Sequence, residues 1–525
     1  MIRTSDTRNG EIYPMQQDPP ASLAPRPLVP LVAALTVFAL HLAGNPHYGF
    51  FRDELYFIIC GRHLEWGNVD QPPIAPLLAA ASQMFGISLI LLRALPAFFA
   101  AAGVYVSCLI AVELGATVFG QIITALVVFF APVLMDFGMK VSPDMVGLWL
   151  WPLLALYVLR LTKGADPRWW LAVGAILGIC LQSKYSVLFF AVALLAGLLL
   201  TPERRILFTQ WFPLGCLLAG IIALPNFLWQ AHYGYPMLET LRNTQHGKNV
   251  IVGPLAYLLQ QMLLTGLLAF VWVIGLIWLF MRARMRFLAY AFVILIAMMI
   301  VLHGKSYYPS NAYPLLIAAG GVVIERWTRG SRLARLAVTT AVVLLGLITV
   351  PLVLPVLPEA QLASYQERFF RTLHISRDTI ATEHQRRPAL PSDFADMHGW
   401  PELAAQVAGV YQSLPPADRA QAAIYAQNYG EAAAIDFFGR QYGLPAVISG
   451  HNQYYLWGTH GYSGNVLICV GGNCDSVARQ FQSCAISSTF SEPWIQPFED
   501  GIPIMVCRGI KKPLPEVWPL AKFYL

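Results

Sequence analysis

The stretch that decides the fold is residues 254–281, PLAYLLQQMLLTGLLAFVWVIGLIWLFM, which holds no charged side chain. A bilayer's hydrocarbon core is about 30 Å thick, and a helix needs about 20 apolar residues to cross it. This segment therefore predicts a membrane span. The whole 525-residue chain agrees, because 57% of its residues are apolar, 12% are charged and the mean hydropathy is +0.55. Such a composition excludes a soluble enzyme, a disordered chain and a fibrous protein.

Similar apolar runs recur on both sides of this segment. Together they predict eleven spans, at 28–45, 87–112, 116–134, 143–161, 168–183, 186–200, 208–229, 254–281, 286–302, 310–325 and 333–357. A further apolar piece, 74–85, is too short to cross comfortably and predicts a re-entrant or interfacial helix. Residues 1–27 lack the compact basic start and the cleavage site of a secretory signal. The first span is therefore expected to be an uncleaved anchor.

Basic residues between the spans fall mostly on one side. Alternation along eleven spans puts 15 Lys and Arg on the side of residues 1–27 and eight on the other. Because basic loops are retained in the cytoplasm, residues 1–27 are predicted to form a cytoplasmic N-terminal tail. Residues 28–357 then form the domain in the plasma membrane, and residues 358–525 lie on its exoplasmic (periplasmic) side.

The exoplasmic tail differs in composition from the membrane domain. It carries 12 Lys and Arg against 15 Asp and Glu, a net charge of −3, whereas residues 1–357 carry 23 against 14, a net charge of +9. Short apolar runs predict strands at 422–426, 445–449, 465–470 and 504–507, and a helix at 430–439. We therefore expect a soluble α/β domain. The pI near 8.8 reflects basic loops beside spans, and no basic cluster predicts a nucleic-acid partner.

The first outer loop has the densest polar content. It reads NPHYGFFRDELY over 45–56, so that Asp53 and Glu54 follow the first span by a few residues. Residues 53–64 predict an amphipathic helix on the membrane surface. Its apolar residues are expected to face lipid: Leu55, Phe57, Ile58 and Ile59. Acidic groups at this depth are costly unless solvated or paired. Taken alone, the Asp-Glu pair is more simply interpreted as acids at a helix N-terminus that complement the helix dipole.

Other outer loops add charges and tyrosines. MDFGMKVSPD over 135–144 places Asp136 and Asp144 around Lys140, a short turn holds Lys184, and HGKSYYP occupies 303–309. Taken singly, lysines at span ends are commonly snorkelling anchors and tyrosines form interfacial belts. Together they place acids, cations and hydroxyls at the level of the lipid headgroups. A carboxylate there can take a proton from an acceptor hydroxyl, and cations can hold a leaving phosphate.

Three segments resemble the GT-C superfamily of integral-membrane glycosyltransferases. They are RDELY at 52–56, DQPP at 70–73 with LRALP at 92–96 beyond it, and KSYYP at 305–309, which continues to Tyr313-Pro314. The branch they resemble contains the protein O-mannosyltransferases, the lipid A aminoarabinose transferase and the lipopolysaccharide-core galacturonosyltransferases. The resemblance extends over about residues 28–325. It implies a polytopic helical bundle of the GT-C type with about 11–13 spans, followed here by the exoplasmic α/β domain.

The resemblance also implies a reaction and roles for residues. A sugar would pass, with inversion, from a polyprenyl-phosphate donor to a cell-envelope lipid, polysaccharide or protein. In this superfamily the first acid of the Asp-Glu pair is considered the catalytic base, which implies this role for Asp53, with Glu54 as the alternative. Relatives of the aminoarabinose type place cations for the lipid phosphate where this chain has Tyr56 and Gln71. The phosphate contact must then come from other residues, namely Arg52, Lys184, Lys305, Tyr307 and Tyr308.

The remaining expected site residues are Asp70, Asp136, Asp144 and His303, of which Asp144 stands where relatives often carry an acid. No cofactor and no metal site are predicted. In a metal-dependent alternative, Asp53 and Asp144 would serve as ligands. Two other functions stay open, a transporter or lipid flippase and a non-catalytic envelope-assembly protein. Transporters often show internal repeats and mid-span acids, whereas this sequence shows no repeat and its acids lie at or beyond span ends.

The eight cysteines divide by compartment. Those within spans are expected to be packed thiols, namely Cys108, Cys180 and Cys216, while Cys60 lies at the membrane surface. Four more, Cys469, Cys474, Cys484 and Cys507, fall in the exoplasmic tail, where disulfides persist. Three pairings are open. We expect at least one bridge, with Cys474–Cys484 across a helix and Cys469–Cys507 between strands as candidates. Four reduced, buried thiols are the alternative.

Overall fold

The structure is a computed structural model that describes residues 28–248, 250–376, 387–472 and 474–525. The predicted cytoplasmic tail over residues 1–27 lies outside these residues. The described part of the chain is a many-helix bundle followed by a region with a small mixed sheet. The predicted fold class, a polytopic helical protein with a C-terminal α/β region, is confirmed.

A helix forms at each of the eleven predicted spans, and shorter helices lie between them. In chain order the helices are α1 (Leu28–Gly44), α2 (Arg52–Arg62), α3 (Ile74–Gln83), α4 (Leu89–Glu113), α5 (Val118–Phe130), α6 (Pro132–Phe137), α7 (Gly147–Thr162), α8 (Trp169–Leu181), α9 (Val187–Leu199), α10 (Trp211–His232), α11 (Pro236–Asn243), α12 (Pro254–Thr265), α13 (Ala269–Met281), α14 (Arg286–Val301), α15 (Tyr313–Trp327) and α16 (Arg332–Thr349).

Six helical segments within the described residues are long and apolar enough to cross a membrane. They are Leu28–His47, Leu89–Glu113, Trp211–His232, Pro254–Met281, Ala283–Val301 and Arg332–Leu352. On α10 the side chains of Leu217, Ile221 and Leu224 are exposed at helical spacing, as expected for a face in contact with lipid. The chain is therefore a multi-pass membrane protein. The other predicted spans form shorter helices, so the count of eleven crossings stays a prediction.

Small residues allow the helices of the bundle to pack closely. A Cβ on Gly174 of α8 would lie 2.1 Å from the carbonyl oxygen of Gly215 on α10, so only glycine fits at this crossing. Helix α15 lies at the centre of the bundle, since every residue from Tyr313 to Glu325 is buried. It packs against α13, α5 and α4.

Helix α2 forms where an amphipathic helix was predicted, but its apolar face does not meet lipid. The four residues expected to face lipid, Leu55, Phe57, Ile58 and Ile59, are at most 3% exposed. They are covered because α2 packs against α3 and against a helix of the C-terminal region. The prediction of a lipid-facing surface helix is therefore wrong. The sequence could not reveal the part of this cover that comes from α21, because that helix lies more than 350 positions later in the chain.

The C-terminal region combines short helices with five strands. The helices are α17 (Glu359–Thr372), α18 (Ser392–Ala395), α19 (Trp400–Ser413), α20 (Pro416–Arg419), α21 (Tyr429–Phe438), α22 (Gln453–Trp457), α23 (Cys474–Ala478) and α24 (Leu514–Val517). The strands are β1 (Ala422–Ala426), β2 (Val447–Ile448), β3 (Val466–Val470), β4 (Phe481–Phe490) and β5 (Ile502–Ile510). Their order in the sheet is β2-β1-β3-β5-β4. β1 is parallel to β2 and β3, and β5 is antiparallel to β3 and β4.

Two disulfides stabilise the sheet, in a pairing that differs from the candidates above. Cys469 bonds Cys474, and Cys484 bonds Cys507. The expectation of at least one bridge is confirmed. The candidate pairs were wrong because the helix after Cys474 ends at Ala478, and β4 then brings Cys484 directly opposite Cys507 on β5.

The remaining cysteines are free thiols. Cys60, Cys108 and Cys180 are buried, whereas Cys216 is exposed on α10. Cys60 was expected at the membrane surface and is instead buried with the rest of α2. Cys216 was expected to be packed and instead lies on the outer surface of its helix.

Candidate active site

A cavity of about 1880 Å³ opens between the outer loops of the bundle and the C-terminal region. It brings together nearly all the predicted site residues: Arg52, Asp53, Tyr56, Asp70, Gln71, Asp136, Asp144, Lys184, His303, Lys305, Tyr307 and Tyr308. Glu54 is the exception, because its side chain points away from this space into the protein. Loops that are far apart in the sequence thus converge on one site.

Asp53 occupies the first turn of α2, where the helix dipole stabilises a carboxylate. Its side chain is 33% exposed and borders the cavity. The Tyr429 hydroxyl donates a hydrogen bond of 2.8 Å to Oδ1, and Arg52 Nε lies 3.6 Å from the same oxygen. Among the described residues, none donates a hydrogen bond to Oδ2. One oxygen of Asp53 is thus held by the protein, and the other is left for a substrate.

Both carboxylate oxygens of Glu54, the neighbouring acid, accept hydrogen bonds from other residues of the protein. Oε1 accepts bonds from Arg93 Nε at 3.1 Å and from the Val141 amide at 3.0 Å. Oε2 accepts bonds from Arg93 Nη2 and from the Phe51 amide, both at 2.9 Å. The side chains of Glu54 and Arg93 are both fully buried. This ion pair joins α2, α4 and the second outer loop. The geometry therefore favours Asp53 over Glu54 as a base.

A cluster of cations and tyrosines forms another part of the cavity wall. Lys184 Nζ lies 2.5 Å from Asp144 Oδ2, and 4.9 Å and 4.8 Å from the ring centroids of Tyr307 and Tyr308. Lys305 Nζ lies 6.0 Å from the Tyr307 ring centroid. Burial lowers the pKa of Lys184, although Asp144 opposes this effect. The cluster presents ammonium and phenol donors, which are the groups that stabilise a phosphate as its charge grows.

A third lysine of the cavity, Lys140, is neutralised by acids from two parts of the chain. It forms ion pairs with Asp136 and, at 2.9 Å, with Asp393 of the C-terminal region. Burial raises the pKa of Asp136 and outweighs the opposing effect of Lys140. For Asp393 burial acts in the same sense, but Lys140, the hydrogen bonds and Arg52 together lower its pKa. A proton shared by these two carboxyl groups is therefore favoured on Asp136.

Tyr56 and Gln71, two further predicted site residues, differ in their surroundings. The Tyr56 hydroxyl donates to Asp70 Oδ1 at 3.0 Å and accepts from the Gln453 amide at 3.2 Å. Tyr56 thereby ties the first outer loop to the C-terminal region. The Gln71 side chain is buried and lines the cavity, and its amide nitrogen and oxygen have no hydrogen-bond partner among the described residues.

Among the cavity residues that the sequence did not reveal, three from the C-terminal region contact predicted site residues. Asp393, Asp396 and Tyr429 contact Lys140, Arg52 and Asp53, respectively. The Arg52 amide also donates a bond of 3.0 Å to the Asp396 carbonyl. Nothing in their local sequence sets these residues apart. They reach the cavity because the C-terminal region packs against loops of the bundle that lie more than 250 positions earlier in the chain. Only a signal for this packing could have revealed them.

Comparisons with known proteins agree with this architecture. Residues 70–229 match the family described as dolichyl-phosphate-mannose-protein mannosyltransferase. Two crystal structures of ArnT from Cupriavidus metallidurans, one bound to undecaprenyl phosphate and one in the apo state, are similar to this chain. Each gives a TM-score of 0.57 at 15% sequence identity and covers 91% of this chain and 97% of ArnT. The chain therefore shares the overall fold of these two structures.

The family match and the structural likeness differ in extent. The family match includes Asp70, Asp144 and Lys184, whereas Asp53 precedes the matched range. The likeness to ArnT extends over almost the whole chain, but at 15% identity it concerns the fold. Among curated proteins, none matches the sequence.

Proposed function

We propose that this chain is a glycosyltransferase that moves a sugar from a polyprenyl-phosphate donor to a cell-envelope acceptor at the outer face of the plasma membrane, with inversion. The observation that carries the proposal is that Asp53 and the cluster of Lys184, Tyr307 and Tyr308 line one cavity. One cavity thereby offers a base for the acceptor hydroxyl and ligands for the donor phosphate. The crystal structure of ArnT bound to undecaprenyl phosphate supports the donor class.

In this reaction Asp53 acts on the acceptor. Oδ2 takes the proton of an acceptor hydroxyl while the acceptor oxygen bonds to the anomeric carbon of the sugar. The bond from that carbon to the phosphate oxygen breaks, and polyprenyl phosphate leaves with the electron pair. Attack from the face opposite the leaving group inverts the anomeric centre. The proton remains on Asp53 until it is released to water.

The phosphate is assigned to the cluster of lysines and tyrosines. Lys184 and Lys305 supply positive charge to the phosphate as the glycosidic bond breaks, and Tyr307 and Tyr308 frame this charge. Arg52 serves this role less well, because its guanidinium lies against Asp396 and Asp53 at 3.6 Å. The scheme uses side chains alone, and independence from metal ions stays a prediction.

The apolar part of the cavity suits the lipid chain of the donor. Its lining includes Leu263, Leu264 and Phe270 from the segment Pro254–Met281, which is long and apolar enough to span a membrane, and Leu352 and Val353 beyond α16. Contacts of this kind bury isoprenoid surface without any hydrogen-bonding requirement. The phosphate of a lipid held there would lie near the loop that carries Lys305.

The substitution Asp53→Asn tests the proposal. The protein would be reconstituted in liposomes with a panel of radiolabelled undecaprenyl-phosphate sugars, and an envelope extract from a strain lacking this chain would serve as acceptor. Loss of a positioned base should lower the transfer rate about 10²–10⁴-fold. Asp166→Asn is the matched control, because Asp166 lies in the loop between α7 and α8, away from the cavity. Wild-type transfer by Asp53→Asn would reject Asp53 as the base, whereas an absence of transfer by the wild-type protein would favour transport or assembly instead.

A further inference from the structure

Tyr429 of the C-terminal region makes the closest contact to the proposed base. Its hydroxyl lies 2.8 Å from Asp53 Oδ1, although 376 positions separate the two residues in the sequence. We propose that Tyr429 is a positioning residue for sugar transfer: its hydroxyl holds Oδ1 so that Oδ2 is aimed at the acceptor. This inference rests on the proposed function, because it assumes that Asp53 is the base.

The ring of Tyr429 is fixed from several sides. Its centroid lies 4.6 Å from that of Tyr56 and 4.9 Å from that of His451, and the Arg52 guanidinium carbon lies 5.5 Å from it. The residue as a whole is 9% exposed. A ring held in this way has little rotamer freedom left to lose when substrate binds. Its hydroxyl therefore constrains Asp53 at small entropic cost.

The sequence Asn428-Tyr429-Gly430 explains how the hydroxyl reaches Asp53. Asn428 caps α21, since its Oδ1 accepts bonds from the Gly430 and Glu431 amides at 2.8 Å and 3.0 Å. Tyr429 is then the first residue of the helix and points at α2. A Cβ on Gly430 would lie 2.4 Å from Arg52 Cγ, so glycine allows α21 to approach α2 this closely. The N-terminus of α21 is thus built to place a phenol beside Asp53.

The Tyr429 hydroxyl is suited to donate a hydrogen bond to Asp53 and not to act as a second base. A hydrogen bond to the charged form of a carboxylate favours that form, which is the one that accepts a proton. Burial raises the pKa of the Tyr429 phenol, so the phenol keeps its own proton. The other titratable and charged groups that face this contact are Arg52, Tyr56, Asp70, Asp396, His451 and Glu499.

The substitution Tyr429→Phe removes the donor and keeps the ring. Single-turnover transfer would be measured across pH in liposomes with the undecaprenyl-phosphate sugar that the wild type uses. Without the donor the carboxylate form is less favoured, so the acid limb of the pH–rate profile should move to higher pH by about one unit. The rate below the midpoint should then fall about tenfold. Tyr454→Phe is the matched control, since Tyr454 is as buried but donates to Asp436 Oδ2 at 2.8 Å.

The outcomes separate the inference from the proposed function. A shifted acid limb in Tyr429→Phe with an unshifted limb in Tyr454→Phe supports it, whereas no shift, or equal shifts in both variants, overturns it. Where the wild type is inactive, the proposed function itself fails, and a fully active Asp53→Asn rejects Asp53 as the base. If Tyr429→Phe does not fold, 3-fluorotyrosine would be incorporated at position 429 and the same pH–rate profile measured. This side chain is a stronger hydrogen-bond donor of nearly the same size, so the acid limb should move to lower pH. An unmoved limb there overturns the inference.

Discussion

At the scale of single residues, the adjacent acids Asp53 and Glu54 differ in role: the first lines the cavity and the second stabilises the fold. They share the first turn of α2, yet Asp53 faces the cavity while Glu54 accepts five hydrogen bonds inside the protein. The direction of each side chain from the helix decides the difference. A sequence carries no such direction for a loop of unknown conformation, so both acids had to remain candidates.

We predict that Glu54→Gln lowers the free energy of unfolding of the protein and does not act on the transition state of sugar transfer. It leaves the buried guanidinium of Arg93 without its counter-ion, and breaking a buried pair typically costs about 3–5 kcal/mol. Glu113→Gln should cost about 1 kcal/mol or less, because its partners Arg160 and Lys163 are partly exposed. Unfolding of the purified proteins in detergent would measure both. Equal losses in the two variants would contradict a structural role for Glu54.

We also predict that Lys305→Ala weakens use of the donor more than it affects folding. Lys305 lines the cavity beside Tyr307, where its charge would be felt by a bound phosphate. The KM for the polyprenyl-phosphate sugar should rise about tenfold, which corresponds to about 1.4 kcal/mol. Lys511→Ala is the control, since Lys511 is exposed in the C-terminal region and donates to the Arg479 carbonyl. An unchanged KM and turnover in Lys305→Ala would place the phosphate elsewhere.

The candidate site could be read from the sequence only in part, and the reason is physical. Outer loops that follow spans must meet at one face of a bundle, so Asp53, Lys184 and Lys305 could be grouped from topology alone. Tyr429 and Asp396 carry no such signal, because no membrane constrains where the C-terminal region docks. The residues of the C-terminal region that surround the proposed base were therefore found only from the structure.

At the scale of elements, hydropathy located the helices of the bundle but not strand β4. Long apolar runs leave few alternatives in a bilayer, so each predicted span has its helix. In contrast, β4 is an edge strand whose central residues are largely exposed, and its sequence FQSCAISSTF shows no apolar alternation. Its pairing with β5 decides the disulfides, and the error in one element therefore produced the error in the bridges.

We predict that the two disulfides contribute unequally to the stability of the sheet. The bond Cys484–Cys507 closes a loop of 23 residues and Cys469–Cys474 a loop of five, so the longer loop should contribute about 3 kcal/mol and the shorter about 2 kcal/mol. Paired Cys→Ser variants of the full chain, unfolded in denaturant, would measure the difference. A thiol reagent should label none of the four cysteines before reduction, and reaction of all four would contradict both bridges.

At the scale of the whole molecule, charged residues separate into two groups at opposite ends of the spans. One group pairs the helix ends at Glu113, Arg160 and Lys163, where Arg160 Nε lies 2.7 Å from Glu113 Oε1. The other group lines the cavity around Asp53 and contacts the C-terminal region. Helices α4 and α7 run between the two groups. The polar candidate site lies at one end of the spans, and basic residues that can anchor the protein at the membrane surface lie at the other end. This arrangement suits an enzyme that acts on one side of the membrane.

The last prediction concerns which face that is. The excess of basic residues in the loops beside Glu113 predicts that this end lies in the cytoplasm, so the cavity and both disulfides should lie on the exoplasmic side. In a Cys216→Ser background, the exposed positions Gln412 and Asp166 would each be replaced by cysteine. A membrane-impermeant maleimide should label Gln412→Cys in intact cells and Asp166→Cys only after permeabilisation. The reverse pattern would put Asp53 in the cytoplasm, where the proposed acceptors in the envelope cannot reach it, and the proposed function would fall with the topology.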